Sequence, residues 1–510
     1  MPRGRSRSKK AIINTFASLG NELVSVICGL ILPRLILRAF GSSYNGLVSS
    51  IGQFISCISL MRAGISGVTR AALYKPLAEK NDQEISSIIN ATEKFFRKVA
   101  LIFAVGIVAF AVLYPIVVVK EFDWLFSFSL ILILAISTFV QYYFGLTYQM
   151  LLIADQKQKI VSYFRIISVV TNTVFAAILI KCGAGIHVVK LGSAAAFAIT
   201  PIAISIYVKK HYNIDRKAAP NTVAIKQRWD ALGHEIANFI NTNTDVIVLT
   251  IFAGVKEVSV YTVYNHVIAS IRKIVTNCTI SFGAAFGDMY ARKQYDLMHD
   301  NLGIFEIVIF SVASIVYSVS VSMIRSFALI YTHGVNDVSY DRPLFGIIIT
   351  LAGLFTCFRI PYYVITTSVG HYKQTRNGAF IEAGLNIVIS VACVIKFGIV
   401  GVAIGTLVAA AFRSFQYAIY LGKNILNRSI MLFIKHVAVS LSICLVVYLI
   451  SCVLPINDDS IPMWLLKAIS LTAISTVLVL ATDLIFWKKD TKLFVAKVRN
   501  NFKKRKGLEK

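Results

Sequence analysis

The feature that most constrains this chain is a succession of apolar runs, most of about 20 residues or more, bounded by charge or by Gly and Pro. They lie near 12–37, 46–69, 97–118, 124–149, 160–181, 186–208, 231–254, 258–286, 302–324, 344–369, 377–396, 399–422, 432–454 and 464–487. At 1.5 Å per residue, a run of about 20 residues crosses a hydrocarbon core about 30 Å thick. Inside lipid every backbone polar group needs an internal partner, and continuous apolarity without strict alternation satisfies that need as helices. The expectation is an all-α integral membrane protein with about fourteen transmembrane helices. The composition agrees, since 56% hydrophobic residues with only 15% charged residues and a mean hydropathy of +0.70 exclude an ordinary soluble domain.

The chain carries 52 Lys+Arg against 25 Asp+Glu. Such an excess can mark nucleic-acid binding, but here the basic residues sit in short segments between apolar runs, which is a topology signal. They concentrate on alternate segments, beginning with the five in residues 1–11 and ending with the ten in Lys488 to Lys510. The positive-inside rule then places both termini in the cytoplasm, with Asp337, Asp341, Asp458 and Asp459 on outer loops. Met1 to Lys10 could serve as the basic start of a signal peptide, yet the apolar run after it continues to Leu37 without a small-residue cleavage site. A retained first helix is expected. The basic tail lies either on anionic headgroups among the membrane lipids or free in solvent. The eight cysteines show no C-x-x-C spacing and no histidine at a zinc-like interval, so they are expected to be reduced packing residues, with no metal site and no cofactor.

The second half echoes the first at a nearly constant offset. Ile65-Ser66 recurs as Ile280-Ser281, Lys157-Gln158 as Lys373-Gln374, Ile180-Lys181 with Gly183 as Ile395-Lys396 with Gly398, and Ala194 to Phe197 as Ala409 to Phe412. Agreement of separate matches on one offset marks an internal duplication. The expected organisation is a cytoplasmic basic N-terminus (1–11), an N-lobe of six helices (12–208), a cytoplasmic linker (209–230), a C-lobe of six helices (231–422), two appended helices (423–487) and a cytoplasmic basic tail (488–510). Six crossings return the chain to the same side. The two lobes should therefore be related by a pseudo-twofold axis along the membrane normal, with a substrate site near the midplane.

Ionisable residues inside membrane helices are costly, about 2.5–3.5 kcal/mol for a centred Arg or Lys on insertion scales, and mark a bundle interior or a wet cavity. Arg34, Arg62, Arg165, Arg272, Lys273 and Arg359 fall in the runs. Arg272 is nearest a midplane and shares a helical face with Asn265, Thr276 and Thr279. A cationic cavity suits a pyrophosphate, whose oxygens accept paired bonds from guanidinium forks; alternatively each Arg pairs with an acid or snorkels to an interface. Three further polar stripes are formed by His234, Asn238, Asn241 and Asp245, by Glu382 and Asn386, and by Asn14, Ser18, Glu22 and Ser25. Glu22, Asp245 and Glu382 are candidates to bind H⁺ or Na⁺ as a coupling ion, or to neutralise the arginines.

Four features resemble the polysaccharide-unit flippases of the multidrug/oligosaccharidyl-lipid/polysaccharide exporter superfamily. They are Tyr44-Asn45-Gly46-Leu47 followed by LMRAGISGVTRAALYKPLAEKND (Leu60 to Asp82), NTDVIVLTIFAGVKEVSVY (Asn243 to Tyr261), SVGHYKQTRNGAFIEAGLNIVISVACVIKFGIVGVAIGTLVA (Ser368 to Ala409), and a helix count of twelve plus two. The third is the most specific, matching a G-x-x-K, Leu-Asn, F-G-I-x-G-x-A-x-G-T pattern. The resemblance implies a flippase that moves an undecaprenyl-pyrophosphate-linked oligosaccharide across the cytoplasmic membrane for capsule, O-antigen or exopolysaccharide synthesis. The other implied partners are a coupling ion and other glycan-assembly proteins. Relatives that flip the peptidoglycan precursor line their cavity with Arg on helices 1, 2 and 8, which by analogy favours Arg34, Arg62 and Arg272. With Arg359, Asn238, Asn241 and Asn265, these make up the expected substrate site. A drug or organic-cation antiporter of the same superfamily is the alternative. An enzyme is not expected, because the sequence offers no G-x-S-x-G, H-E-x-x-H or P-loop motif.

Overall fold

A computed structural model describes residues 3–58, 63–118, 121–221, 243–277, 279–456 and 460–507. Arg62, His234, Asn238, Asn241, Asp458 and Asp459 lie outside the described residues. The chain is all helical among those described. The first of two compact units covers Met1–Ser259. It holds α1 (Arg3–Phe40), α2 (Ser42–Ile58), α3 (Ala63–Glu79), α4 (Asp82–Val118), α5 (Trp124–Val140), α6 (Leu146–Ala154), α7 (Gln158–Lys181) and α8 (Ile186–His211), with α9 (Asn243–Phe252). The second unit covers Val260–Lys510. Its helices are α10 (Val255–Asn277, starting just before the boundary), α11 (Ile280–Ala291), α12 (Tyr295–Tyr331), α13 (Pro343–Phe358), α14 (Ile360–Ser368), α15 (Tyr372–Phe397), α16 (Ile399–Leu421), α17 (Ile430–Val453), α18 (Ile461–Phe486) and α19 (Lys488–Gly507).

Among the described residues 11 helical segments are long and apolar enough to cross a membrane. They coincide with eleven of the expected spans, and the other three differ for stated reasons. The 46–69 run is described only on either side of residues 59–62, as α2 and α3. The first half of the 231–254 run, residues 231–242, lies outside the described residues. The 258–286 run is split into α10 and α11, so Thr279 falls beyond the end of the helix that carries Arg272. The exterior is as apolar as a lipid solvent requires. On α1, Phe16, Leu19, Leu23, Ile27 and Ile31 recur every three or four residues and are all exposed.

The duplication is written into the backbone. Left-handed residues occur at Gly41 and Gly254, at Lys80 and Lys293, at Gln156 and Gly370, and at Gly183 and Gly398, each pair 213 to 215 positions apart. Each closes a turn between consecutive helices, where a left-handed residue lets the chain reverse and satisfies the last carbonyls. The long helices α4 and α12 match as well, at 37 residues each.

The Tyr44–Leu47 stretch proves to be a packing device within the first unit. Tyr44 sets its ring edge-on to Phe122 at 5.1 Å. Asn45 Nδ2 donates to Ser259 Oγ at 2.8 Å, and Leu47 is fully buried. One turn on, Ser50 Oγ bonds Thr250 Oγ1 at 2.7 Å and accepts from the Tyr114 hydroxyl at 2.8 Å. Gly46 is required because a Cβ there would run into the Val255 carbonyl. Gly46→Ala should therefore cost about 1–3 kcal/mol as an overpacked contact with backbone. A lowered thermal midpoint of the purified protein is the expected reading, and an unchanged midpoint would contradict the close approach.

Candidate functional site

The second unit concentrates buried charge where one membrane segment breaks. Pro361 has no amide hydrogen and sits in the first turn of α14, so the chain restarts its helix there instead of extending α13. Arg359 occupies the joint, the hinge between α13 and α14. Its Nη1 donates to Glu382 Oε1 on α15 at 2.6 Å. The second carboxylate oxygen of Glu382 lies 3.4 Å from Arg413 Nε on α16. The side chains of Glu382 and Arg413 are 9% and 5% exposed, against 27% for Arg359. Arg413 is held on every side. It donates to the Thr375 carbonyl at 3.1 Å, to the Tyr417 hydroxyl at 2.7 Å and to Gln416 Oε1, and its guanidinium lies over the Tyr417 ring. Among the described residues the Arg359 side chain hydrogen-bonds only Glu382. A guanidinium has five N–H donors, so Arg359 keeps most of its fork for another acceptor.

The glycines of the Ser368–Ala409 stretch make this cluster possible. A Cβ at Gly378 would occupy the place of the Gln416 amide and the Arg413 guanidinium. Gly401 and Gly405 let α16 close onto Cys393 and Ser390 of α15, and Gly398 turns the chain between the two helices with φ +55°. The motif that reads as a family signature thus seats a buried arginine in a tight helical hairpin. Two guanidinium groups on one carboxylate leave a surplus positive charge.

Arg272 lies on α10, which enters the same unit. Arg272 is half-buried, and its carbonyl accepts from Thr276 Oγ1 at 2.8 Å. Asn265 is half-buried two turns earlier on the same helix. Of the expected site residues, Arg359 and Glu382 are brought together. Arg413 was not anticipated, although a charge inside the 399–422 run was the available signal.

The other expected residues fall in the first unit. Glu22 and Arg34 are half-buried on α1, Asp245 is buried on α9, and each is engaged within the protein. Asn14, expected to face a cavity, instead bridges the turn before α7: its Nδ2 donates to the Gln156 carbonyl and its Oδ1 accepts from the Lys159 amide. Arg165 is exposed on α7. Arg62, Asn238 and Asn241 lie outside the described residues.

A second buried charge cluster in the second unit was also not anticipated. Glu306 of α12, only 1% exposed, accepts from the Tyr362 hydroxyl at 2.6 Å and pairs with Arg428 from the loop before α17. His436 lies 3.8 Å away and stacks on Trp487 at 4.0 Å. The basic tail is the helix α19. It is attached to α12 through Lys497 Nζ, which donates to Asn301 Oδ1 at 2.7 Å, and through Asp490 against Gly303.

The family profile described as Polysaccharide biosynthesis protein matches residues 9–281. The chain belongs to this family. Its fold is that of known lipid flippases and drug transporters. It is similar to the lipid II flippase MurJ in an inward closed conformation, at 18% identity and a TM-score of 0.71, over 93% of this chain and 100% of that one. It is also similar to an inward-facing multidrug resistance MATE family transporter of the MOP superfamily, at 13% identity and a TM-score of 0.63, over 81% of this chain and 98% of that one. A Vibrio cholerae MATE transporter, VcmN in the bent form, matches at 14% identity and 0.53, over 82% and 97%. At such identities the likeness is one of fold. No curated protein sequence matches the chain. The chain is thus a polysaccharide biosynthesis family member with a MurJ- and MATE-like fold, and 11 of its described helical segments are long and apolar enough to cross a membrane.

Proposed function

We propose that the protein flips an undecaprenyl-pyrophosphate-linked oligosaccharide across the cytoplasmic membrane, both termini facing the cytoplasm, by exposing one site alternately to each side. The observation that carries this reading is the pair Arg359 and Arg413 on the single carboxylate of Glu382. Arg359 and Arg272 offer guanidinium forks to the pyrophosphate, while Arg413 holds Glu382 in place. Asn265, on the same helix as Arg272, and the sequence candidates Arg34, Arg62, Asn238 and Asn241 are proposed as further headgroup ligands. Glu22 and Asp245 remain the candidate H⁺ or Na⁺ carriers, and no covalent chemistry is required. Glu382 serves here as the counter-charge of Arg359 and Arg413. A binder of organic cations would be opposed by a surplus of buried positive charge.

Arg272→Ala tests the assignment. Loss of one charge-assisted bond to pyrophosphate should weaken binding more than about tenfold, and surface glycan per unit of membrane protein should fall accordingly. Arg272→Lys should restore only part of it, since an ammonium keeps the charge and loses the two-pronged geometry. Wild-type glycan in Arg272→Ala cells would remove this residue from the site. Drug efflux from cells expressing the protein, with no change in glycan, would favour the antiporter instead.

A further inference from the structure

α14 begins directly after Arg359, whose own backbone is helical at φ −72° and ψ −17°. The Tyr363 amide donates to the Arg359 carbonyl at 2.9 Å, so the two residues stand one turn apart on one face of the helix. Both keep part of their surface open. The Arg359 side chain is 27% exposed and Tyr363 is 45% exposed, while Ile360, Pro361, Tyr362, Ile365 and Thr366 around them are buried. An aromatic residue exposed on an apolar, membrane-length segment ordinarily faces lipid or its headgroups. Here the shared face decides otherwise, because lipid against Tyr363 would also meet the guanidinium one turn away, and such a charge keeps to a bundle interior or a wet cavity. Tyr363 therefore opens into the same polar space as Arg359.

The ring is held in that position by the charge cluster itself. It meets Tyr417 of α16 edge to face, with centroids 5.5 Å apart and planes at 80°. Tyr417 is fixed in turn by Arg413, whose Nη2 donates to its hydroxyl at 2.7 Å and whose guanidinium lies 4.2 Å from its ring centroid. Arg413 pairs with Glu382, the partner of Arg359. A ring already immobilised loses little freedom when a ligand settles on it. Its face is apolar and electron-rich. A pyranose has the complementary surface, with C–H bonds on one side that donate weakly to a π face and hydroxyls around the edge that suit a polar space. In a lipid-linked sugar the pyranose is joined directly to the pyrophosphate. A pyrophosphate on Arg359 brings that sugar to the residue one turn away, about 5–6 Å off between Cβ atoms.

We propose that Tyr363 is a sugar-binding residue, its ring stacked on the pyranose attached to the pyrophosphate. Resting on Arg359 as a pyrophosphate ligand, this assignment adds the place of the sugar. Arg359 reads the charge common to every polyprenyl pyrophosphate, and Tyr363 reads whether a sugar is attached.

Two probes separate these roles on the full chain in phosphatidylcholine nanodiscs, namely undecaprenyl pyrophosphate and undecaprenyl-pyrophosphoryl N-acetylglucosamine. Tyr363→Leu keeps apolar volume and loses the π face. It should weaken binding of the sugar-bearing probe about threefold to tenfold and leave undecaprenyl pyrophosphate unchanged, which also shows that the variant is folded. Tyr363→Phe should match wild type on both probes, since stacking does not use the hydroxyl. Arg359→Ala should weaken both alike. Equal losses on the two probes in Tyr363→Leu, no loss on either, or a loss in Tyr363→Phe as large as that in Tyr363→Leu would each overturn the stacking role and leave the pyrophosphate reading standing. Failure of wild type to bind undecaprenyl pyrophosphate, or wild-type binding of both probes by Arg359→Ala, would overturn the pyrophosphate reading at Arg359 and the sugar contact with it.

Discussion

Replacing Glu382 with alanine should remove most of the folded protein from the membrane. The carboxylate lies between Arg359 and Arg413 and is nearly buried. Without it two guanidinium groups face each other in a medium where charge is poorly screened, and breaking such a pair from one side costs about 3–5 kcal/mol. Total stabilities run to only about 5–15 kcal/mol, so the loss is a large share. The contrast with Arg359→Ala makes the prediction specific. That change leaves Glu382 with Arg413, whose other bonds go to Thr375, Gln416 and Tyr417. Arg359→Ala should therefore hold its abundance while surface glycan falls. Detergent-extracted protein that runs as a single folded species, quantified beside cell-surface glycan, separates the two. Equal abundance of Glu382→Ala and wild type would mean that the cluster is solvated. Loss of abundance in Arg359→Ala would make Arg359 a structural partner of the acid and not a substrate ligand.

Glu306→Leu should be comparably damaging, for a reason unconnected with substrate. Glu306 is buried in α12, and Arg428, 14% exposed at its side chain, reaches it from a loop 122 positions along the chain. Loss of the acid strands the guanidinium and frees the Tyr362 hydroxyl, so a cost of about 3–5 kcal/mol is expected. Removing both charges is different. Glu306→Leu with Arg428→Met keeps the volume and leaves no buried ion, and replacing such a pair by apolar groups is often neutral. The thermal midpoint of the purified double variant should recover most of what either single variant loses. A double variant as unstable as the sum of the singles would show that the pair acts through separate contacts.

The sequence by itself determined much of the architecture. Lipid demands helices of a set length, and eleven of the expected spans are observed helical segments. The offset between halves was legible in short matches such as Ile180-Lys181 and Ile395-Lys396, and it recurs in the left-handed turns at Gly183 and Gly398. Arg272, Arg359 and Glu382 were legible as anomalies, because a charge in an apolar run is conspicuous whatever it touches. Their partners were not legible. Helical periodicity tells which residues of one segment share a face, but pairing between segments depends on how two helices register and how deep each break falls. The sequence offered Glu382 as an ion carrier or a counter-charge, and could not show that α16, closed onto α15 at Gly401 and Gly405, brings Arg413 to it. Asn14 read as cavity-facing until it was seen bonded to Gln156 and Lys159. The break at Arg359 follows from Pro361 in the sequence, but only the tertiary structure decided that the arginine placed there meets a glutamate rather than lipid, because that choice is made by contacts between helices distant in the chain.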